Sequence, residues 1–118
     1  MSYDLDFWKY KKGTYLDNQD VYEKCSDEQI VDGLENLPTD AVLGDIHAEF
    51  ETWQMEESKI DFENPNGKGA FQVFTTQQFV RFDCYSMEGE DMNRIMDVML
   101  KFDCPLYDPQ VPKRFDDA

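Results

Sequence analysis

Residues 59–85 read KIDFENPNGKGAFQVFTTQQFVRFDCY, and this stretch decides the fold. In Lys59-Ile60-Asp61-Phe62-Glu63 apolar and charged residues alternate, the period of a strand with one buried face. Asn64-Pro65-Asn66-Gly67-Lys68-Gly69 then supplies residues that suit a turn and tolerate positive φ. Ala70 to Thr75 returns as the partner strand of a hairpin. A third run, Phe79 to Tyr85, places Val80, Phe82 and Cys84 on one face. Three sequential strands with short connections predict an antiparallel meander.

Working outward, Tyr3-Asp4-Leu5-Asp6-Phe7-Trp8 alternates in the same way, with Tyr3, Leu5 and Phe7 inward, and Lys11-Lys12-Gly13 ends that strand. Ser26-Asp27-Glu28-Gln29 reads as a capping box opening a helix with Ile30, Leu34 and Leu37 on its inner face, stopped by Pro38. Thr39 is expected to cap a second helix carrying Leu43, Ile46 and Phe50, with Trp53 just beyond. Glu90 to Phe102 is the third helix, with Met92, Ile95, Met96 and Met99 on its core stripe. Cys104 to Tyr107 is a short final strand, followed by an Asp108-Pro109 turn and an extended tail, since Pro105, Pro109 and Pro112 remove backbone donors. The order β-α-α-β-β-β-α-β predicts one α+β domain over residues 1–118, a mostly antiparallel sheet with three helices packed largely on one face.

The 118 residues include nine Phe, six Tyr and two Trp, enough apolar area to order a chain of this length. No stretch approaches the roughly 20 apolar residues of a membrane span and no secretory signal opens the chain, so a cytoplasmic protein is expected. Cys25, Cys84 and Cys104 are odd in number and lack metal-site spacing; they are expected to be buried thiols, with Cys104 in the core.

Enzyme readings find little support. The only histidine is His47, at the margin of the second helix's buried stripe, and there is no G-x-S-x-G elbow and no phosphate loop. Asp17-Asn18-Gln19-Asp20 starts like a calcium loop, but Gln19, Val21 and Tyr22 occupy positions that need an oxygen ligand or glycine. No catalytic residue, metal or cofactor is implied, although a hydrolase using a carboxylate pair stays open among 26 acids.

The charge is more informative. The net charge is −15, and residues 17–57 hold thirteen acids against Lys24 alone. Such a field repels nucleic acid and anionic membranes and attracts a basic partner, with association rates of ~10⁸ to 10⁹ M⁻¹s⁻¹ at low salt. On the first expected helix Glu28, Asp32 and Glu35 form an outward stripe with no base between them. On the second, Asp45 and Glu49 sit one turn apart without a counter-ion, whereas Glu90 with Arg94 and Asp97 with Lys101 balance the third. The candidate partner-binding residues are therefore Asp17, Asp20, Tyr22, Glu23, Asp27, Glu28, Asp32, Glu35, Asp45, Glu49 and Trp53. Tyr15, Tyr22 and Trp53 are the candidate exposed anchors.

The opening MSYDLDFWK, the stretch VRFDCYSMEGEDMNRIMDV and the closing CPLYDPQVPKRFD together resemble a family of small acidic bacterial proteins found as immunity proteins of contact-dependent growth inhibition and other polymorphic toxin systems. These motifs cover about a third of the chain. The resemblance implies a protein that neutralises a cognate toxin domain, commonly a nuclease, by binding it; it assigns no contact residues. An acidic surface occluding a basic active cleft fits that expectation without depending on it. The alternative within binding proteins is a nucleic-acid mimic that inhibits a DNA- or RNA-binding protein.

Overall fold

A computed structural model describes residues 2–56 and 60–115. Its ten elements are β1 (Ser2–Phe7), α1 (Asn18–Ser26), α2 (Thr39–Glu49), β2 (Gln54–Met55), β3 (Asp61–Glu63), β4 (Ala70–Thr75), β5 (Val80–Tyr85), α3 (Gly89–Leu100), β6 (Leu106–Asp108) and β7 (Lys113–Arg114). The class is α+β and the expected order holds, with β2 and β7 added as two-residue strands. Lys59, expected to open the third strand, lies outside the described residues.

The sheet is antiparallel in the order β2-β3-β4-β5-β1-β6-β7, so the N-terminal strand lies inside it, between β5 and β6. The alternation seen in the sequence sets the register. Leu5 faces Phe82 and Phe7 faces Val80 across β1 and β5, while Val73 faces Phe82 across β4 and β5. These side chains are buried on the face covered by α2 and α3. Phe62 and Phe71 stack at 4.7 Å, Phe50 of the α2 end meets Phe71 at 4.9 Å, and Ile95, Val98 and Met99 close the layer from α3. Each such side chain contributes roughly 1.5–3 kcal/mol by leaving water.

Arg94 joins the two helices. Its guanidinium donates to a Glu49 carboxylate oxygen at 2.7 Å, to the Glu49 carbonyl, and to Asp91 at 2.9 Å, and it lies 4.3 Å over the Phe50 ring. Two sequence expectations are thereby corrected. Glu49 has a counter-ion, and the partner of Arg94 within α3 is Asp91 rather than Glu90.

The third helix, α1, lies against the other face. Successive strand residues point to opposite sides, and Asp4, Asp6, Arg81 and Tyr107 share the side away from the α2–α3 core. There Tyr22 of α1 donates to Asp4 at 2.9 Å, while Val21 and Cys25 pack in a second cluster with Trp8, Phe79 and Tyr107.

The largest correction concerns residues 26–37. The first helix is not there: it runs from Asn18, and Ser26 is its last residue rather than its cap. The N-cap is Asp17, whose carboxylate accepts from the amides of Gln19 at 2.9 Å and Asp20 at 3.2 Å. Beyond Ser26, Glu28 adopts φ 60° and Gly33 φ 103°, both incompatible with a continuing helix. A Cβ at Gly33 would lie 2.9 Å from the Thr14 side chain, so both backbone and space demand glycine.

Tertiary bonds hold the segment instead. The buried Gln78 side chain accepts from the Val31 amide at 2.9 Å and donates to the carbonyls of Val31 at 3.0 Å and Leu34 at 3.3 Å. Leu34 and Leu37 are buried as expected, but Ile30 is 62% exposed. Thr39 begins α2 without capping it; Pro38 occupies the cap position with no side-chain bond. At the other end, the tail is not simply extended: the Asp108-Pro109 turn folds Lys113–Arg114 back onto β6.

Candidate functional site

The sequence-derived acids do not form one surface. Asp17 caps α1, Asp20 pairs with Lys24 at 2.9 Å, Glu23 accepts from Gln19 at 3.4 Å, and Asp27 accepts from Gln29 at 3.0 Å. Glu35, expected in an unpaired stripe, meets Lys9 at 3.3 Å. With no helix over 27–37, Glu28 and Asp32 are exposed loop carboxylates and the stripe with Glu35 does not exist. Asp45 is half-buried on α2, one turn before the paired Glu49. Trp53 is no exposed anchor: it is 7% exposed, in the core against Phe50 at 4.9 Å and Phe71 at 5.7 Å. Tyr22 is half-buried, whereas Tyr15 is 82% exposed.

The structure gathers other carboxylates on the sheet. On the side away from α2 and α3, register places Gln54, Glu63, Ala70 and Tyr85 in one row and Asp61, Gln72, Asp83 and Asp4 in the next. The β2–β5 part of this face forms a groove of about 830 Å³ lined by Glu56, Asp61 and Glu63, with Gln54, Gln72 and the half-exposed Tyr85, and by no basic side chain among the described residues. Neither Glu56 nor Glu63 makes an ion pair within the described residues. The alternation of Asp61-Phe62-Glu63 already put these acids opposite the core. Only the sheet order showed that they share a concavity with Glu56 and Tyr85.

Along the same face, towards α1, lies a polar network. Arg81 donates to Asp83 at 3.1 Å, and the Gln110 side chain bridges to the Asp4 backbone, accepting from its amide at 3.0 Å and donating to its carbonyl at 3.2 Å. On the Leu5 side of β1, Tyr3 donates to Asp108, which raises the Tyr3 phenol's pKa. Asp6 sits in the middle, fully buried, with neither carboxyl oxygen hydrogen-bonded. Burial pushes its pKa up to about 9; the negative charge of Asp4 adds to the rise and Arg81 opposes it. Asp6 is thus a neutral acid at pH 7. Burial also raises Tyr22, reinforced by its bond to Asp4, and raises Asp83.

A raised carboxyl beside ionised ones is the arrangement acid–base catalysis uses. Here the raised group is sealed from solvent, so as folded it delivers no proton to a substrate. The thiols offer no nucleophile either, because burial pushes Cys25 and Cys104 up to about 11 and Cys84 up to about 12. His47 is half-buried beside the Phe62 ring at 5.5 Å. Among the described residues no group of three or more His, Cys, Asp or Glu is arranged to hold a metal ion, and no helix is long and apolar enough to cross a membrane.

What the groove offers is a concave surface whose charged lining, among the described residues, is three carboxylates, with an aromatic ring beside them. Such a surface suits lysine or arginine side chains: carboxylates receive charge-assisted hydrogen bonds, and Tyr85 presents a π face to a cation. No protein-family model matches this chain, and comparison with curated proteins finds no match.

Proposed function

We propose that this protein is an inhibitor of the immunity type, which binds a basic toxin domain, such as a nuclease, and neutralises it by occupying its active cleft with carboxylates. The observation that carries the reading is the groove on the uncovered sheet face, where Glu56, Asp61 and Glu63 are gathered and no base lines the groove among the described residues, in a chain of net charge −15. Like charges brought together cost stability through repulsion, and a basic partner relieves that repulsion on binding. The resemblance of both chain ends and of the β5–α3 region to immunity proteins points the same way. Inhibition here is by occupancy, with no chemistry in the inhibitor.

The test is co-expression with the toxin domain encoded beside the gene, scored by growth. Rescue is expected, with binding that weakens as salt rises. The double substitution Glu56→Lys/Glu63→Lys should slow association by about tenfold or more at low salt, while Glu28→Lys/Asp32→Lys slows it less. No rescue, together with no binding to the purified toxin domain, removes the reading. Equal effects of the two substitution pairs would move the contact away from the groove.

A further inference from the structure

Four bases of this acidic protein, Lys9, Lys11, Lys12 and Arg114, line a single cleft of about 530 Å³, on which Asp103 is the only acid among the described residues. We propose that this cleft binds a small aromatic phosphate of nucleotide size, its ring packing against Tyr15 and Phe115 and its phosphate meeting the ammonium groups of Lys11 and Lys12.

The volume falls within the roughly 300–1,000 Å³ of small-molecule sites. Lys9 is already engaged, 3.3 Å from Glu35 and 3.6 Å from Asp103. Lys11 and Lys12 are exposed and make no ion pair within the described residues, so their charge is available. Their turn is fixed by the backbone: the Lys11 amide donates to the Gly33 carbonyl at 2.9 Å, and the Thr14 amide to the Lys11 carbonyl at 2.9 Å. The ammonium groups therefore project from an ordered loop. Lysine serves phosphate as a point charge with three donors.

An independent observation supplies the aromatic half. Of the large apolar side chains left exposed, Tyr15, Leu100 and Phe115 come from three separate parts of the chain and line this one cleft. The buried Arg114 stiffens the neighbouring aromatic wall: its guanidinium lies 4.6 Å over the Tyr10 ring and donates to the Trp8 carbonyl at 2.8 Å. Tyr10 in turn contacts Tyr15, ring centroids 6.1 Å apart. Inorganic phosphate alone would leave that apolar surface uncovered, and a neutral ring would leave the lysines unpaired. A ring carrying a phosphate satisfies both.

The proposal is independent of the acidic groove. It is tested by titrating the ¹⁵N-labelled full chain with adenosine monophosphate, phenyl phosphate, inorganic phosphate and adenosine, following amide shifts. Saturable binding of either aromatic phosphate is expected, with shifts concentrated at residues 9–15, 100–105 and 114–115; the ratio of the two reports how large a ring the cleft prefers. Phosphate and adenosine should bind at least about tenfold more weakly, and Tyr15→Ala should weaken the aromatic phosphates by about tenfold. Lys11→Glu/Lys12→Glu should abolish binding with the remaining spectrum unchanged, and Lys11→Gln/Lys12→Gln replaces it if that variant misfolds. Absence of saturation with both aromatic phosphates, phosphate binding as tightly as they do, or binding that survives the double substitution would overturn it.

Discussion

The two faces of the sheet are built on opposite principles. The face under α2 and α3 is continuous apolar packing from Phe62 across Phe71 and Phe82 to Leu5 and Phe7. The other face is polar along most of its length, and where α1 covers it the protein buries a carboxyl with no hydrogen bond. The first face supplies stability, and the second retains groups whose burial or mutual repulsion opposes it. Residues that cost free energy in the isolated fold are the ones a binding partner can use.

Removing a core ring should show that contrast most strongly. Phe82 is fully buried and touches Phe7 edge-on at 5.6 Å and Phe71 at 5.9 Å. Phe82→Ala should lower unfolding free energy by about 3–5 kcal/mol in urea denaturation. A loss near 1 kcal/mol would mean that this face is loosely packed and the contrast false.

On the other face, Asp6 predicts an unusual pH dependence. The folded acid keeps its proton up to about pH 9, whereas the unfolded chain releases it near the ordinary carboxyl value of 3.8. Between those values the folded state binds the extra proton, so this group's contribution falls as pH rises. The slope is about 1.4 kcal/mol per pH unit, so Asp6→Asn should gain on the wild type by about 3 kcal/mol between pH 5 and pH 7. Parallel stability curves for the two proteins would show that Asp6 is ionised in the fold.

A smaller effect tests what replaced the expected helix. Gln78→Ala leaves the buried Val31 amide without its 2.9 Å partner and should cost about 1–3 kcal/mol. The expected signature is early hydrogen exchange at residues 30–35. If exchange there stays at the core rate, the segment is held by Leu34 and Leu37 rather than by the glutamine.

Much of this architecture was legible locally. The alternation in β1, β3 and β5 and the stripe of α3 are legible because each pattern is set by neighbours within a few residues. The groove was half legible: the outward placement of Asp61 and Glu63 followed from Phe62 facing in. The misreading at 26–37 came from trusting a capping-box pattern and an i, i+4 apolar spacing across Gly33. The glycine, and the acidic run after Asp17, were the signals favouring the observed arrangement, since Asp17 and Asp20 suit a helix N-terminus better than a solvated loop.

The sequence by itself determined the α+β class, the element order, the buried thiols and the negative field, because periodicity and composition act over short range or over the whole chain. Only the tertiary structure decided that Glu49 has a cation, that Trp53 is core, that Asp6 is buried and neutral, and that Glu56, Asp61 and Glu63 share a groove. Arg94 lies 45 residues from Glu49 and Gln78 lies 47 from Val31. Contacts at such separations arise from sheet order and helix placement, which no local pattern encodes.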